Sequence, residues 1–220
     1  LMRDGQRVAA EIGDLGWSLR LRIQEAKLFW YRGDLRAAER VLDDIIAEAD
    51  AAGLTTVAAA ARQDRGAVAS EGDQKQLGAQ YCYAAIKGFD EPSDKIRAMG
   101  DLGVTLQDLG YIEQAWTLFL TVYHSPHADV ETRNYALLNL LYGSTLVGEQ
   151  PQFDWLSDAL RDQRLDARQR ASYHVFLGQG YLKFAEPWRA QVEFAEAVVV
   201  ARENGIDRFR REAEVFLTTG

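Results

Sequence analysis

The residues best suited to chemistry in this sequence are its three histidines. His124 and His127 flank Pro126, with Asp129 close behind, a pattern that could be drawn as a metal site. A pair of histidines across a proline turn is poor ligand geometry without further His or Cys ligands, so we interpret both as exposed loop residues. His174 stands alone on a predicted helix, which favours a packed or surface role over that of a catalytic base.

Three further features carry no predicted catalytic or metal-binding role. Cys82 has no histidine near it in sequence, and we predict a buried structural thiol. The Gly-x-Gly motif at residues 178–180 lies inside a predicted helix and not after a strand, which excludes a phosphate loop. The acidic residues between Asp43 and Asp50 lack the alternating spacing of a calcium loop and are interpreted as a solvated outer helix face. We therefore predict no enzyme activity, no metal and no cofactor.

The bulk properties narrow the class of partner. The chain has 220 residues, 47% apolar, and a formal net charge of −8. An acidic chain is a poor ligand for nucleic acid or for an anionic membrane surface, so neither is predicted as a partner. The longest apolar stretch, Ala136 to Val147, is too short and too polar to span a bilayer. One cysteine and no visible signal peptide predict a cytoplasmic location, and the start on Leu1 suggests a piece of something longer.

Helix-breaking turns recur along the chain at nearly constant spacing. They stand at Gly33-Asp34, Gly72-Asp73, Gly110-Tyr111, Gly148-Glu149 and Ala185-Glu186, so the spacing is 37–39 residues. Nothing alternates with a period of two over a useful length, which predicts an all-helical chain. A helical pair cannot bury its apolar face alone, so repeated pairs must stack on one another.

The best-preserved copy of this period is residues 177–197. Leu177, Gly178 and Tyr181 share one face of a first helix, and Pro187 suits the first turn of a second. Ala190, Phe194 and Ala197 then share one face of that second helix. The stretch resembles the tetratricopeptide repeat, with its Leu-Gly pair, its Tyr three residues on, and its spaced Ala, aromatic and Ala. The resemblance implies an all-α α-solenoid, a right-handed superhelix of stacked antiparallel helix hairpins.

The period divides the chain into one TPR-like domain of five hairpins. We predict a leading helix at residues 1–16, hairpins at about 17–53, 54–92, 93–128, 129–165 and 166–205, and a terminal capping helix at 206–220. Gly16, Gly53 and Gly205 are predicted as left-handed C-terminal helix caps. Pro92 is predicted to close the second hairpin and Ser93 to cap the third.

The second helices carry the predicted packing seams. The seams are Ala38, Leu42 and Ile45 in the first hairpin, Tyr81 and Ala84 with an atypical Leu77 in the second, Ala115, Phe119 and Val122 in the third, and Pro151, Phe153, Trp155, Leu156 and Leu160 in the fourth. The second helix of the fourth hairpin has no clear small residue and matches the repeat pattern least well.

In tetratricopeptide arrays the first helix of each hairpin lines a concave groove that binds a peptide or protein segment. The resemblance implies that the groove residues here are Arg20, Lys27, Trp30, Tyr31, Arg62, Arg97, Gln107, Tyr135, Leu138, Tyr142, Gln179 and Lys183. For the aromatic members, packing between adjacent hairpins is an equally good interpretation. Some family members grip a C-terminal carboxylate with charged and amide side chains, but Ile23 and Gly66 occupy two of the matching sites, which disfavours that clamp.

Three functions remain open on this basis. The first is a non-catalytic protein–protein interaction module whose basic groove residues favour an acidic segment of another protein. The second is a ligand- or peptide-sensing regulatory domain of a larger signalling protein or transcriptional regulator. The third is a scaffold that self-associates through its terminal helices or convex face.

Overall fold

The computed structural model describes residues 13–219. Most of the predicted leading helix therefore lies outside the described residues. Within 13–219 the structure has no strand and eleven α-helices, which confirms the all-α prediction. Their bounds are α1 (Leu15–Tyr31), α2 (Leu35–Ala51), α3 (Thr55–Glu71), α4 (Lys75–Gly88), α5 (Pro92–Asp108), α6 (Ile112–His124), α7 (Val130–Val147), α8 (Gln150–Arg161), α9 (Ala167–Lys183), α10 (Pro187–Glu203) and α11 (Asp207–Thr219).

The helices belong to two compact units, the first ending at Leu118 and the second beginning at Phe119, inside α6. In the first unit each helix from α1 to α4 packs on the next, and α3 also contacts the other two odd-numbered helices, α1 and α5. In the second unit α9 packs on α7, α10 and α11, while α8 packs on α7. Within each unit, first helices therefore lie beside first helices, as expected of stacked hairpins.

One backbone device closes all five predicted turns between paired helices. A single residue in each turn has a left-handed backbone: Gly33, Asp73, Gly110, Gly148 and Ala185, with φ between 61° and 85°. The N–H of the following residue then donates to the carbonyl five residues earlier, as Asp34 does to Phe29 (3.0 Å) and Glu186 to Tyr181 (2.7 Å). This bond satisfies a carbonyl that the end of the helix would otherwise leave unpaired.

The packing residues keep a fixed distance from these turns. The fifth, ninth and twelfth residues after the left-handed one are buried in every hairpin, and they are Ala38, Leu42 and Ile45; Gly78, Cys82 and Ala85; Ala115, Phe119 and Val122; Phe153, Ser157 and Leu160; Ala190, Phe194 and Ala197. Residues four and seven apart share a helix face, so each trio forms one seam.

This register corrects the predicted seam of the second hairpin. Its left-handed residue is Asp73 and not Gly72, so the seam begins one residue later, at Gly78 instead of Leu77. Gly78 is the small residue that the prediction missed. A Cβ on Gly78 would lie 2.8 Å from the backbone oxygen of Gly66, and one on Gly66 would lie 2.6 Å from Sγ of Cys82. Helices α3 and α4 approach closely because both positions lack a side chain.

The fourth hairpin exchanges large and small residues. Phe153 takes the position that Ala or Gly holds elsewhere, and Ser157 takes the position of the large residue. Gly180 on α9 makes the space for it, because a Cβ there would lie 2.0 Å from Cε2 of Phe153. Phe153, Leu156 and Leu160 are buried as predicted, but Trp155 is 61% exposed and Pro151 is exposed too, so their predicted places in the seam are wrong.

Two predicted helix boundaries are also wrong. Gly16 is not a left-handed cap, because it lies inside α1; the left-handed residue is Gly13, and Asp14 caps the helix by accepting from the N–H of Trp17 at 2.9 Å. Pro92 does not close the second hairpin but begins α5, with Glu91 and not Ser93 as its N-cap. Proline fits that first position because no helical hydrogen bond needs its missing N–H. Gly53 and Gly205 have left-handed backbones, as predicted.

Candidate functional site

A cavity of about 450 Å³ lies on the first unit, between the first helices α1, α3 and α5. We call it the first-unit pocket. Its lining side chains come from α1, from α3, from the start of α5 and from Phe89 before it. They are Trp17, Arg20, Leu21, Ile23, Gln24, Lys27, Thr56, Ala60, Gln63, Asp64, Phe89, Asp94 and Arg97.

The sequence of α1 explains which side chains reach this pocket. Leu19, Ile23 and Ala26 form a buried stripe that packs into the core of the first unit. Arg20, Gln24 and Lys27 follow the same spacing one position later, so they form a parallel stripe at the edge of the core. Helix α1 thus presents a cation, an amide and a second cation along one side of the pocket.

Helix α3 supplies the equivalent positions from the next repeat. The first two hairpins are offset by 40 residues, as their left-handed Gly33 and Asp73 are, so Ala60 and Asp64 hold the positions of Arg20 and Gln24. Thr56 and Gln63 line the pocket beside them. Gln63 is already engaged, because its Nε2 donates to Oδ2 of Asp101 on α5 at 2.6 Å. Gln24 is exposed, so its amide is accessible to a ligand.

The pocket has more positive than negative side chains. Three cations line it against two carboxylates. Lys27 Nζ lies 3.3 Å from Oδ2 of Asp64, and Arg97 pairs with Asp94. Arg20 is exposed and has no acidic partner within residues 13–219. Among the described residues, the pocket therefore carries one uncompensated positive charge, on a chain whose formal net charge is −8.

Asp64 is the buried member of this set, with a side chain 14% exposed. Burial raises the pKa of its carboxyl to about 6, because a charged carboxylate is costly away from water. The Lys27 ammonium opposes this rise, and the nearby Asp101 carboxylate adds to it. A carboxyl with this pKa changes its charge close to neutral pH.

Of the twelve predicted groove residues, the pocket brings together Arg20, Lys27 and Arg97. Arg62 does not line it; its guanidinium turns towards α2 and pairs with Asp50. Trp30 packs against the core of the first unit, and its indole N–H donates to Glu71 of the next hairpin at 2.6 Å. Tyr31 stacks on Trp30 and is 63% exposed.

The remaining predicted residues lie elsewhere. Gln107 is buried in α5, and its Oε1 has no hydrogen-bond partner in the described part of the chain. Leu138 is 1% exposed and so packs in the interior. Tyr142 stacks on Phe176 of α9, with ring centroids 4.8 Å apart.

Three predicted groove residues of the second unit reach its surface or its last helix. Tyr135 and Lys183 are exposed. Gln179 donates from Nε2 to Glu212 on α11 at 3.0 Å. Gln179 stands between Gly178 and Gly180, which accommodate Phe194 of α10 and Phe153 of α8. The Gly-x-Gly motif is thus a packing device with a glycine for each neighbouring helix.

Asp43, Glu48 and Asp50 of α2 have a structural role that their sequence pattern did not predict. They are about half exposed, as a solvated face would be, but they form ion pairs with the helices on either side. Glu48 accepts from Arg22 of α1 at 2.6 Å, and Asp43 from the buried Arg65 of α3 at 2.9 Å. These pairs use cations that a groove model would otherwise count as free.

Several pocket residues were not predicted, notably Trp17, Gln24, Asp64 and Phe89. The 40-residue offset between the first two hairpins is a signal that links Gln24 with Asp64, because the two hold the same position. Trp17 had no such signal, and the importance of Asp64 depends on its burial and on Lys27 in the preceding hairpin.

The cysteine and the three histidines lie outside the first-unit pocket, either buried in the core, exposed on the surface or paired between helices. Cys82 is fully buried, and burial raises the pKa of its thiol to about 12, which keeps it protonated. His127 is exposed, and no cluster of potential metal ligands occurs among the described residues. His124 is exposed too. His174 Nδ1 lies 2.7 Å from Oε2 of Glu193 on α10, so the ring links two helices.

None of the helices described here is long and apolar enough to cross a membrane.

The comparison with solved structures agrees with this architecture. No family model and no curated protein matches the sequence. The fold is similar to that of the TPR-like repeats of a protein described as a kinesin light chain from Podosopora anserina, with a TM-score of 0.64 at 14% identity, covering 87% of this chain and 98% of that one. A variant of the same repeats with a single substitution matches with a TM-score of 0.63 at 14% identity over 85% of this chain and 96% of that one. The chain therefore has the fold of a TPR-like repeat protein.

Proposed function

We propose that this protein is a non-catalytic interaction module that binds a segment of another protein in the first-unit pocket. The observation that carries the proposal is the pocket itself. It lies on the first helices of successive hairpins, where TPR-like repeats bind their ligands, and it presents Arg20 without a carboxylate partner among the described residues. The similarity to solved TPR-like repeats supports the fold on which this placement rests.

The lining suits an extended peptide segment. Trp17 is 52% exposed and, with Leu21, offers apolar surface at one end of the pocket. Gln24 offers an amide that can both donate to and accept from a peptide backbone. A pocket with an apolar wall and a few placed polar groups is the usual form of a specific binding site.

The charges favour an acidic segment. A carboxylate of the ligand can pair with Arg20. Asp64 and Asp94 repel that carboxylate less than unpaired carboxylates would, because each is already paired with a cation. Complementary charge also speeds encounter with an acidic partner, although the chain as a whole is acidic.

The test is a charge reversal with a matched control. Arg20→Glu places a negative charge in the pocket, whereas Arg40→Glu makes the same change at an exposed position of α2 outside it. Binding is measured by fluorescence anisotropy against a panel of extended peptides carrying Asp, Asn or Lys at matched positions. We expect Arg20→Glu to weaken binding of the Asp peptides about tenfold or more, since placing like charges together is costly, and Arg40→Glu to match the wild type. Equal binding by the two variants would remove the basis of the proposal.

Self-association has an observation of its own. Trp188, Val192 and Val199 are exposed along one side of α10, at 69%, 53% and 49%. Their spacing places them on a common helix face, which is an apolar surface that a second copy of the chain could cover. Trp188 thus marks a second candidate surface, and its indole can be observed separately from that of Trp17.

A further inference from the structure

The two cations that α1 presents to the pocket are separated by two helical turns. Arg20 and Lys27 are seven residues apart, which corresponds to about 10 Å along a helix axis. A peptide in the extended polyproline II conformation rises about 3.1 Å per residue with three residues per turn, so its side chains at i and i+3 lie on the same side about 9 Å apart. Two acidic residues with two others between them would therefore match the spacing of the two cations.

The cations differ in their present state. Arg20 has no carboxylate partner within residues 13–219, whereas Lys27 is held by Asp64 at 3.3 Å. An acidic ligand can pair with Arg20 directly. At Lys27 it must compete with the Asp64 carboxylate, which already forms an ion pair with the Lys27 ammonium. From this geometry we propose that the first-unit pocket binds an extended segment with two carboxylates, one at Arg20 and one at Lys27, and that Asp64 is an internal counter-ion that competes for the second. The inference rests on the proposed function and assigns the ligand's charge pattern.

Protonation of Asp64 removes the competitor. The charged groups that act on its carboxyl are Lys27 from α1 and Asp101 from α5. Because burial raises the pKa of Asp64 to about 6, acidification to pH 5.5 neutralises most of it and leaves Lys27 uncompensated. An aspartate in an exposed peptide has a pKa of about 3.9 and stays ionised at that pH. Acidification therefore strengthens the pairing of the ligand with Lys27, while the ligand's aspartates keep their charge.

The size of the effect follows from the protonated fraction of Asp64. With a pKa of about 6, that fraction rises from about 3% at pH 7.5 to about three-quarters at pH 5.5. If the ligand binds only when Asp64 is neutral, affinity rises by the ratio of these fractions, up to about 25-fold. A ligand that tolerates the charged form gives a smaller rise.

The experiment measures the dissociation constant of a labelled peptide with two aspartates separated by two residues, at pH 7.5 and pH 5.5. A peptide with both aspartates replaced by asparagine reports non-electrostatic binding. The proteins are the wild type, Asp64→Asn, Arg20→Glu and the control Asp44→Asn, which removes an exposed carboxylate of α2 outside the pocket. Circular dichroism at both pH values verifies that each variant is folded.

We expect the wild type and Asp44→Asn to bind the Asp peptide several-fold more tightly at pH 5.5. Asp64→Asn should bind at pH 7.5 at least as tightly as the wild type does at pH 5.5, and its affinity should change less than about twofold between the two pH values. Weaker binding by Asp64→Asn, or an unchanged pH dependence, overturns the competition at Lys27. If Arg20-dependent binding persists in that case, the proposed function stands; if no protein binds the Asp peptide at either pH, both fail.

Discussion

Arg20 differs from the other three predicted groove cations of the first unit because it has no carboxylate partner among the described residues. Lys27 pairs with Asp64, Arg62 with Asp50, and Arg97 with Asp94. Counting basic residues in the sequence therefore overstates the positive charge available to a ligand. The pairs form between neighbouring helices or within one turn, where local geometry decides which cation is satisfied.

Asp64 gives a second prediction at the residue scale. Its folded-state pKa of about 6 lies above the value of about 3.9 for an unfolded chain, so the folded state binds more protons between these pH values. The free energy of unfolding therefore falls as pH rises through this window, and the loss is complete above it. Asp64→Asn should be more stable than the wild type by about 2–3 kcal/mol at pH 7.5, a gap that narrows to about half at pH 5.

Urea unfolding of the two proteins at both pH values measures this gap. Asp44→Asn is the control and should follow the pH dependence of the wild type. A gap between wild type and Asp64→Asn that is constant with pH would contradict the assigned pKa.

At the scale of helices, the packing of Phe153 of α8 against Gly180 of α9 is the contact that mutation tests most directly. Gly180→Ala would place a Cβ 2.0 Å from Phe153, and overpacking of this kind costs about 1–3 kcal/mol. Gly100→Ala is the matched control, because a Cβ there meets no atom within 4 Å and alanine favours a helix by about 0.5–1 kcal/mol. Thermal unfolding should show the first variant less stable than wild type and the second equal or more stable.

The pairing with Phe153 can be isolated by a double variant. Phe153→Leu makes room beside α9, so combining it with Gly180→Ala should cost less than the sum of the two single changes. Additive costs would mean that Gly180 and Phe153 are not coupled in the way the packing indicates.

The helices also show why the fold was more predictable than the site. Gly33, Pro187 and Ala190 are residue types that the backbone or a close approach requires, so their spacing reveals turns and seams from sequence alone. The shift in the second hairpin was missed because Gly72 precedes the residue that has the left-handed backbone, and the two alternatives differ by one position. Asp64 was missed because neither its burial nor its partner follows from its own neighbours.

For the whole molecule, the repeat places two different surfaces in its two units. The first unit has the polar pocket on its first helices, and the second unit has the apolar stripe of Trp188, Val192 and Val199 on a second helix. Under our proposal the pocket binds an acidic segment, whereas the stripe is an apolar surface. The central claim is that the pocket is the ligand-binding surface.

The chain carries five tryptophans, one at the pocket and two exposed in the second unit, which makes the claim directly measurable. The measurement is a titration of ¹⁵N-labelled protein with the two-aspartate peptide at pH 5.5, following the indole N–H resonances. We predict a saturable shift of the Trp17 resonance, unchanged resonances for Trp155 and Trp188, and loss of the Trp17 shift in Arg20→Glu. A saturable shift at Trp155 or Trp188 with Trp17 unmoved would contradict the account.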